Sequence, residues 1–268
     1  MIPIHRQDYL LRLLDRQGVV SINELTERLA VSHMTIRRDI AQLEAQGLVM
    51  SVSGGVRRAA GFRHEPPWQE KAGANLLQKR AIAQRAVADI HDGMSIYLDA
   101  GTTTYEMARL LSDHQRLSVI TNNFHISNLL AQHAHIELFH TGGRVSPANH
   151  STVGPAVVEF LRHINVDIAF LSSSSWHLER GVTTPDDAKI MIKQQLLQTA
   201  SKRVLVADST KYGRTGMFRA CTLEDFDLIV TDNDLPQPAL EAIQERGINI
   251  DAVAATPLHS VAASREHP

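Results

Sequence analysis

The sequence predicts an α/β protein in two unequal parts, a small helical unit closed by a β-hairpin and a larger, mainly parallel sheet with helices between its strands. Three observations lead there. Within the first 57 residues, three helical segments follow one another with almost no spacer and run into a short β-prone stretch around Gly54-Gly55. From Leu76 onward, short apolar runs alternate with helical ones, and nearly every apolar run ends in glycine, hydroxyl or charged residues. Between the two, the prolines and glycines of residues 58–75, Pro66-Pro67 and Gly73 among them, interrupt both helix and strand and read as a linker. The expected division is 1–57, a linker 58–75, a domain over 76–255 and a tail 256–268. A chain of 268 residues, 43% hydrophobic and 21% charged, has room for two such globular units.

The first helix is expected over Arg6–Arg16, with Tyr9, Leu10, Leu13 and Leu14 on one side and Gly18 ending it. Ser21 followed three residues later by Glu24 is a capping-box pattern, so a second helix buries Ile22, Leu25 and Leu29 and stops near Ala30. Residues 31–34 leave room only for a tight turn. A third helix is capped by Ser32, or by Thr35 if it starts one turn later. Its apolar residues Ile36, Ile40 and Leu43 recur at i, i+4 and i+7 and form one buried stripe. Arg37 and Arg38 lie off that stripe in the first two turns, with Ser32, His33 and Thr35 beside them. That is the layout of a recognition helix, whose N-terminal residues meet base edges and phosphates in the major groove. Two outward arginines by themselves more often mark a solvated surface than a DNA reader, but the helix, turn, helix order favours DNA. So does the hairpin wing expected from Leu48–Ser53, Gly54-Gly55 and Val56-Arg57.

This unit resembles the winged helix-turn-helix of the DeoR family of bacterial transcriptional regulators, through VSHMTIRRDIAQLEAQGLV over 31–49 and the paired glycines. The resemblance implies binding to double-stranded operator DNA by Ser32, His33, Thr35, Arg37 and Arg38. One departure is visible: the family usually has arginine and histidine just before the paired glycines, where Ser51, Val52 and Ser53 stand here. Charge does not advertise the partner. The chain carries a formal net charge of −2, and residues 1–57 hold seven arginines against six acids. Attraction to DNA therefore depends on where the arginines point, and dimerisation doubles it. A single cysteine, Cys221, forms no internal disulfide and reads as a small packing residue. No apolar run reaches the roughly 18 residues that span a bilayer, and the N-terminus lacks the basic-then-apolar order of a signal peptide. A cytoplasmic protein without a membrane partner is expected. The 14 histidines show no pair at ligand spacing beside cysteines or carboxylates, so no metal is expected, and no cofactor is expected either.

In the larger part, Lys79–Ile90 reads as a helix with Ile82, Ala83, Ala86 and Ile90 on one face. Ser95–Leu98 is a buried strand that runs into Asp99-Ala100-Gly101-Thr102-Thr103-Thr104 and a further helix through Leu111. A strand ending in a glycine- and hydroxyl-rich turn that opens a helix is a ready anion site, although a capped turn with nothing bound fits the same spacing. The pattern repeats. Strands are expected over Leu117–Thr121, Ile136–His140, Val166–Ser172, Arg203–Ala207 and Phe226–Thr231, with a last short one near Asp251. Helices are expected from about 126 to 132, through Leu161, and over Asp186–Ala200. In open parallel sheets the ligand lies beyond the carboxyl ends of the strands, and those ends are the polar ones here.

These landmarks resemble the C-terminal effector domain of the same family, which is similar in fold to ribose-5-phosphate isomerase and to coenzyme A transferases. The match is carried by Asp99 with Gly101-Thr102-Thr103, Thr121-Asn122, Gly142-Gly143, Gly154, Gly181 with Thr183, and Asp208 with Lys211. It implies a bound phosphorylated sugar or related phosphorylated metabolite. Gly101, Thr102 and Thr103 would cradle the phosphate and Lys211 would neutralise it. Asp99, Asn122 and Asp208 would hold sugar hydroxyls, Gly142 completes the set, and Lys193 is a weaker candidate. Where the family commonly has a glycine-bearing turn, this chain has Ser172–Ser175 and Trp176-His177, so the effector's identity does not transfer. Trp176 suits either an apolar sugar face or packing under a loop, and Trp68 suits docking of the linker. Two functions follow: a transcriptional repressor of carbohydrate use acting as a homo-oligomer, dimer or tetramer, or an isomerase-like enzyme with Asp99 or Asp208 as base. The DNA-reading unit has no purpose in an isomerase, and the regulator is the expectation.

Overall fold

The computed structural model describes residues 2–45, 48–52, 54–58, 61–62 and 65–255. The expected tail 256–268, and Ser53 of the wing, lie outside the described residues. The three N-terminal helices are Pro3–Gln17, Ile22–Leu29 and His33–Ala45. The first starts three residues before Arg6 because Pro3 suits a first turn, where no backbone N–H is needed. Gly18 ends it at φ 79°, donating its N–H to the Leu14 carbonyl. Ser21 Oγ accepts from the Glu24 N–H at 3.1 Å, while the Glu24 carboxylate pairs with Arg28. Ser32, not Thr35, caps the third helix: its Oγ accepts the Thr35 N–H at 3.2 Å. Leu10, Leu14, Leu25, Ile36 and Leu43 are buried together at the centre of the unit.

Two features of this unit lay beyond the sequence pattern. The wing has three strands, because Val19–Val20 pairs with Gly55–Arg58, which pairs in turn with Val49–Val52. The two glycines have different reasons. Gly54 turns at φ 89°, and a Cβ on Gly55 would stand 2.3 Å from the Val20 carbonyl oxygen. The second feature is a buried fork, in which Arg6 Nε and Nη2 donate to the two oxygens of Asp39 at 2.6 and 3.0 Å. Arg6 thus belongs to the core and adds nothing to the charge facing DNA. The fork fixes the third helix against the first.

The larger sheet has seven strands, all parallel. In spatial order they are Ile250–Val253, Leu228–Asp232, Ala200–Val206, Val166–Ser172, Ser95–Leu98, Leu117–Thr121 and Ile136–His140. Successive strand residues alternate between two cores: Ile96, Leu98, Ile168 and Phe170 lie in one, Tyr97, Ala169 and Leu171 in the other. Helices Leu76–Val87, Thr102–Ala108 and Phe124–Leu130 cover the first face through Ile82, Met107 and Ile126. Pro155–Arg162, Ile190–Thr199 and Gln237–Glu245 cover the second through Val157, Ile192 and Ile243. Burial on both sides is why these strands read as unbroken apolar runs. Cys221 is a buried packing residue, and burial pushes its thiol up to about 12.

The chain also forms short antiparallel elements. Arg144–Ser146 pairs with Ser151–Val153, and Ser175–His177, Gly181–Thr184 and Phe218–Cys221 make a three-stranded sheet. Residues 58–75 hold more structure than their prolines predict. Gly61–Phe62 pairs with Thr215–Gly216, and Pro66-Pro67 stands just before a helix over Trp68–Gly73, where a missing N–H costs nothing. Trp68 is buried, donates its N–H to the Ala148 carbonyl at 3.0 Å and stacks on His125 at 4.3 Å. Trp176 is fully buried edge-on to Tyr212 and serves packing rather than a sugar face.

Asp39→Ala leaves the Arg6 guanidinium buried without its acceptor, a larger loss than removing both partners. Hydrogen exchange at the amides of His33–Ala45 should quicken, and the double replacement Arg6→Met with Asp39→Leu should restore most of the protection.

Candidate functional site

The third helix presents a polar surface at its N-terminal end. Ser32, His33, Arg37 and Arg38 are exposed and Thr35 is half-buried, while Ile36, Asp39, Ile40 and Leu43 face inward. Met34, 70% exposed, stands on the same outer surface and extends it with an apolar group. Part of the Ser32 hydroxyl's capacity is spent on the cap and on Thr35 Oγ1 at 2.9 Å, which leaves the two arginines as the long-reaching groups.

In the sheet, the chain moves outward in one direction from Ser95–Leu98 through Leu117–Thr121 to Ile136–His140, then returns to the other side of Ser95–Leu98 with Val166–Ser172. Two adjacent strands whose connections leave in opposite directions open a crevice at their carboxyl ends. Asp99 and Ser172 sit at those two ends. Asp99 Oδ2 accepts from the Ser172 N–H and Oγ, each at 3.1 Å, and from Lys193 Nζ at 2.6 Å. Lys193 also donates to the Ser172 carbonyl at 2.6 Å. Asp99 Oδ1 accepts the Ala100 N–H at 2.9 Å, which folds the Gly101 loop back over the carboxylate.

Above this network lies an open cavity enclosing about 630 Å³, adjoining solvent included. Of the sequence-derived candidates, Asp99, Gly101, Thr102, Asn122 and Lys211 line it, as does Lys193. Asn122 donates through Nδ2 to the Thr152 carbonyl at 3.0 Å, and its buried Oδ1 has no partner among the described residues. Thr103, Gly142 and Asp208 are not in the wall. Thr103 is buried in the first turn of its helix. Gly142 follows the outermost strand, on the exposed edge of the sheet. Asp208 is fully buried beneath the cavity, where it pairs with Lys211 Nζ at 3.2 Å and accepts from Thr210 and Asn75. Burial opposes its ionisation, but Lys211 and Thr210 outweigh that and hold it below the usual carboxylate range. It holds Lys211 from outside the wall.

The wall also holds Ser173, from the serine run that departs from the family, and Glu65, Lys71, Thr184 and Lys189, which the sequence pattern does not mark as site residues. Lys189 lies four residues before Lys193 at the head of the late helix, a spacing that puts two lysines on one face and was a usable signal. Glu65 and Lys71 come from the presumed linker, and nothing in their spacing marks them. Four lysines thus meet in the wall beside the Gly101 loop. Such a site suits a multiply charged anion with hydroxyls nearby.

A helix-turn-helix with a wing, carried on a parallel sheet with a polar crevice, defines a DNA-binding protein with a ligand-sensing module. Residues 6–60 match the DeoR-like helix-turn-helix domain and residues 74–233 the DeoR C terminal sensor domain. An uncharacterized HTH-type transcriptional regulator of Haemophilus influenzae is 44% identical over 250 residues, spanning 93% of this chain and 97% of the relative. The glycerol-3-phosphate regulon repressor of Escherichia coli K12 is 26% identical, over 94% of this chain and 99% of its own. The chain belongs to the DeoR family of transcriptional regulators and is a regulator rather than an enzyme. Among solved structures, ribose 5-phosphate isomerase A of Methanocaldococcus jannaschii is similar at TM-score 0.37 and 22% identity, over 50% of this chain and 53% of that one. A likeness that weak carries no functional weight. No helix among the described residues is long and apolar enough to cross a membrane.

A Cβ on Gly101 would stand 2.6 Å from Ser172 Cβ and 2.8 Å from its Oγ. Gly101→Ala should therefore push Ser172 off Asp99 and destabilise the sensor by about 1–3 kcal/mol, read as a lower urea midpoint. An unchanged midpoint would mean that the strand ends yield freely.

Proposed function

We propose that this regulator is a cytoplasmic repressor of a carbohydrate-utilisation operon, whose operator affinity changes when a phosphorylated sugar or related metabolite occupies the cavity at the switch point. The observation that carries the reading is the convergence of Lys71, Lys189, Lys193 and Lys211 on a cavity that also offers Asp99 and Asn122. Lysines and loop N–H groups suit a phosphate; a carboxylate and an amide oxygen suit hydroxyls. The relative named for a glycerol-3-phosphate regulon supports a phosphorylated ligand and repression.

On this reading Ser32, His33, Thr35, Arg37 and Arg38 meet operator DNA. The effector acts by binding the DNA-competent and DNA-incompetent arrangements unequally, since a ligand with equal affinity for both shifts nothing. Paired half-sites call for a homo-oligomer, which sets the spacing of two reading helices.

Capture of fragmented genomic DNA by the purified protein, followed by sequencing, tests the reading and yields the operator. On that operator Arg38→Ala should weaken binding by about 1–3 kcal/mol at matched salt while melting normally; unaltered affinity removes Arg38 from the reading surface. Lys211→Ala should bind the operator as the parent does and lose the response to sugar phosphates, and a retained response places the ligand elsewhere.

A further inference from the structure

Two of the four cavity lysines have carboxylates that belong to the sheet: Lys193 has Asp99 and Lys211 has Asp208. The other two, Lys71 and Lys189, share a carboxylate of another origin. Glu65 pairs with Lys71 Nζ through Oε1 at 2.8 Å and with Lys189 Nζ through Oε2, which also accepts from Asn149 Nδ2 at 2.9 Å. Glu65 lies on no sheet strand. It stands between the Gly61–Phe62 strand, which pairs with Thr215–Gly216, and the helix that begins at Trp68, on the segment that joins the reading head to the sensor.

We propose that Glu65 is a built-in competitor for the effector's phosphate, holding Lys71 and Lys189 until a phosphate monoester displaces it. The inference rests on the proposed phosphorylated effector and says where its charge goes and what it releases. With Glu65 in place, its single carboxylate charge faces the two charges of Lys71 and Lys189. With Glu65 swung out both lysine charges are free, and two is the charge of a phosphate monoester dianion. A carboxylate gripping one lysine with each oxygen also occupies the volume and the donors that two phosphate oxygens would use. The exchange at neutral pH puts a dianion in the place of an ionised carboxylate: burial opposes ionisation of Glu65, but Lys189 and Lys71 hold its carboxyl down at about 2.

The position of Glu65 gives the exchange a consequence. Pro66-Pro67 follows it at once and stiffens the chain up to Trp68, whose ring is clamped against His125. Displacing the carboxylate leaves the pairing of Gly61–Phe62 with Thr215–Gly216 as the tie between the reading head and the sensor, and the hold on the joining segment loosens without any contact between effector and DNA. The same exchange sets a threshold, because the effector must outbid an intramolecular anion.

Inorganic phosphate is the probe, titrated against the full chain by calorimetry, with Glu65→Gln beside the parent. The glutamine keeps the shape and loses the charge, so phosphate should bind roughly tenfold tighter, and adding Lys189→Gln should abolish the gain. In the parent, phosphate should quicken hydrogen exchange at the Trp68 and Lys71 amides, a readout that does not depend on any variant folding. Equal or weaker phosphate binding by Glu65→Gln, with the parent binding measurably, overturns the competitor and leaves the cavity as an anion site. Slower exchange in the parent on adding phosphate overturns it too, since the anion would then bind beside Glu65. No phosphate binding by either protein at tens of millimolar overturns both the competitor and the phosphorylated effector.

Discussion

One oxygen of Asp99 collects three donors, two from Ser172 and one from Lys193, at the point where the two central strands part. Neither Asp99 nor Lys193 could be buried alone, because an unpaired charge beneath the surface costs several kcal/mol per ion. Together they are tolerated, and the geometry they impose reaches outward. Ser172 is held against the Gly101 loop, the late helix is anchored at its first turns, and Lys189 is carried to the rim. The same logic recurs below the cavity, where Asp208 is satisfied by Lys211, Thr210 and Asn75. A polar crevice can exist at the end of an apolar sheet because each of these carboxylates is paired with a lysine that the fold supplies.

The reading head depends on a simpler constraint of the same kind. The Arg6–Asp39 fork and the Ile36, Ile40, Leu43 stripe lock one side of the third helix, so its other side has no freedom except to face out. Arg37 and Arg38 need no partner of their own within the head to be displayed. The near-neutral balance of the head follows from this economy: few charges are carried, and those are placed.

Helices with a clear apolar stripe and strands buried on both faces were legible from residue types alone. Ile36, Ile40 and Leu43, or Val166–Ser172, leave little choice, since only one period fits each. Strands of two to four residues such as Val19–Val20 and Phe218–Cys221 offer too few positions for a period, and they are set by pairing partners far along the chain. At the site, Asp99, Gly101, Thr102, Asn122 and Lys211 were readable because each sits at a strand end, where topology alone predicts a crevice. Thr103, Gly142 and Asp208 carry the same residue chemistry but face the helix core, the sheet edge and the floor, and side-chain direction is not written in spacing. Glu65 and Lys71 were hidden for the opposite reason. They belong to a proline-rich stretch that pattern reading treats as a spacer, and their place in the cavity wall follows from how Trp68 docks.

The central claim is that the cavity reports a phosphorylated metabolite to the DNA-reading helix. Its most direct test is a titration of the protein–operator complex, followed by fluorescence anisotropy, with a panel of sugar phosphates and the matching unphosphorylated sugars at constant ionic strength. At least one phosphate ester should shift operator affinity, and its parent sugar should not. A response to the free sugar equal to that of its phosphate, or no response to any phosphate ester, would contradict it.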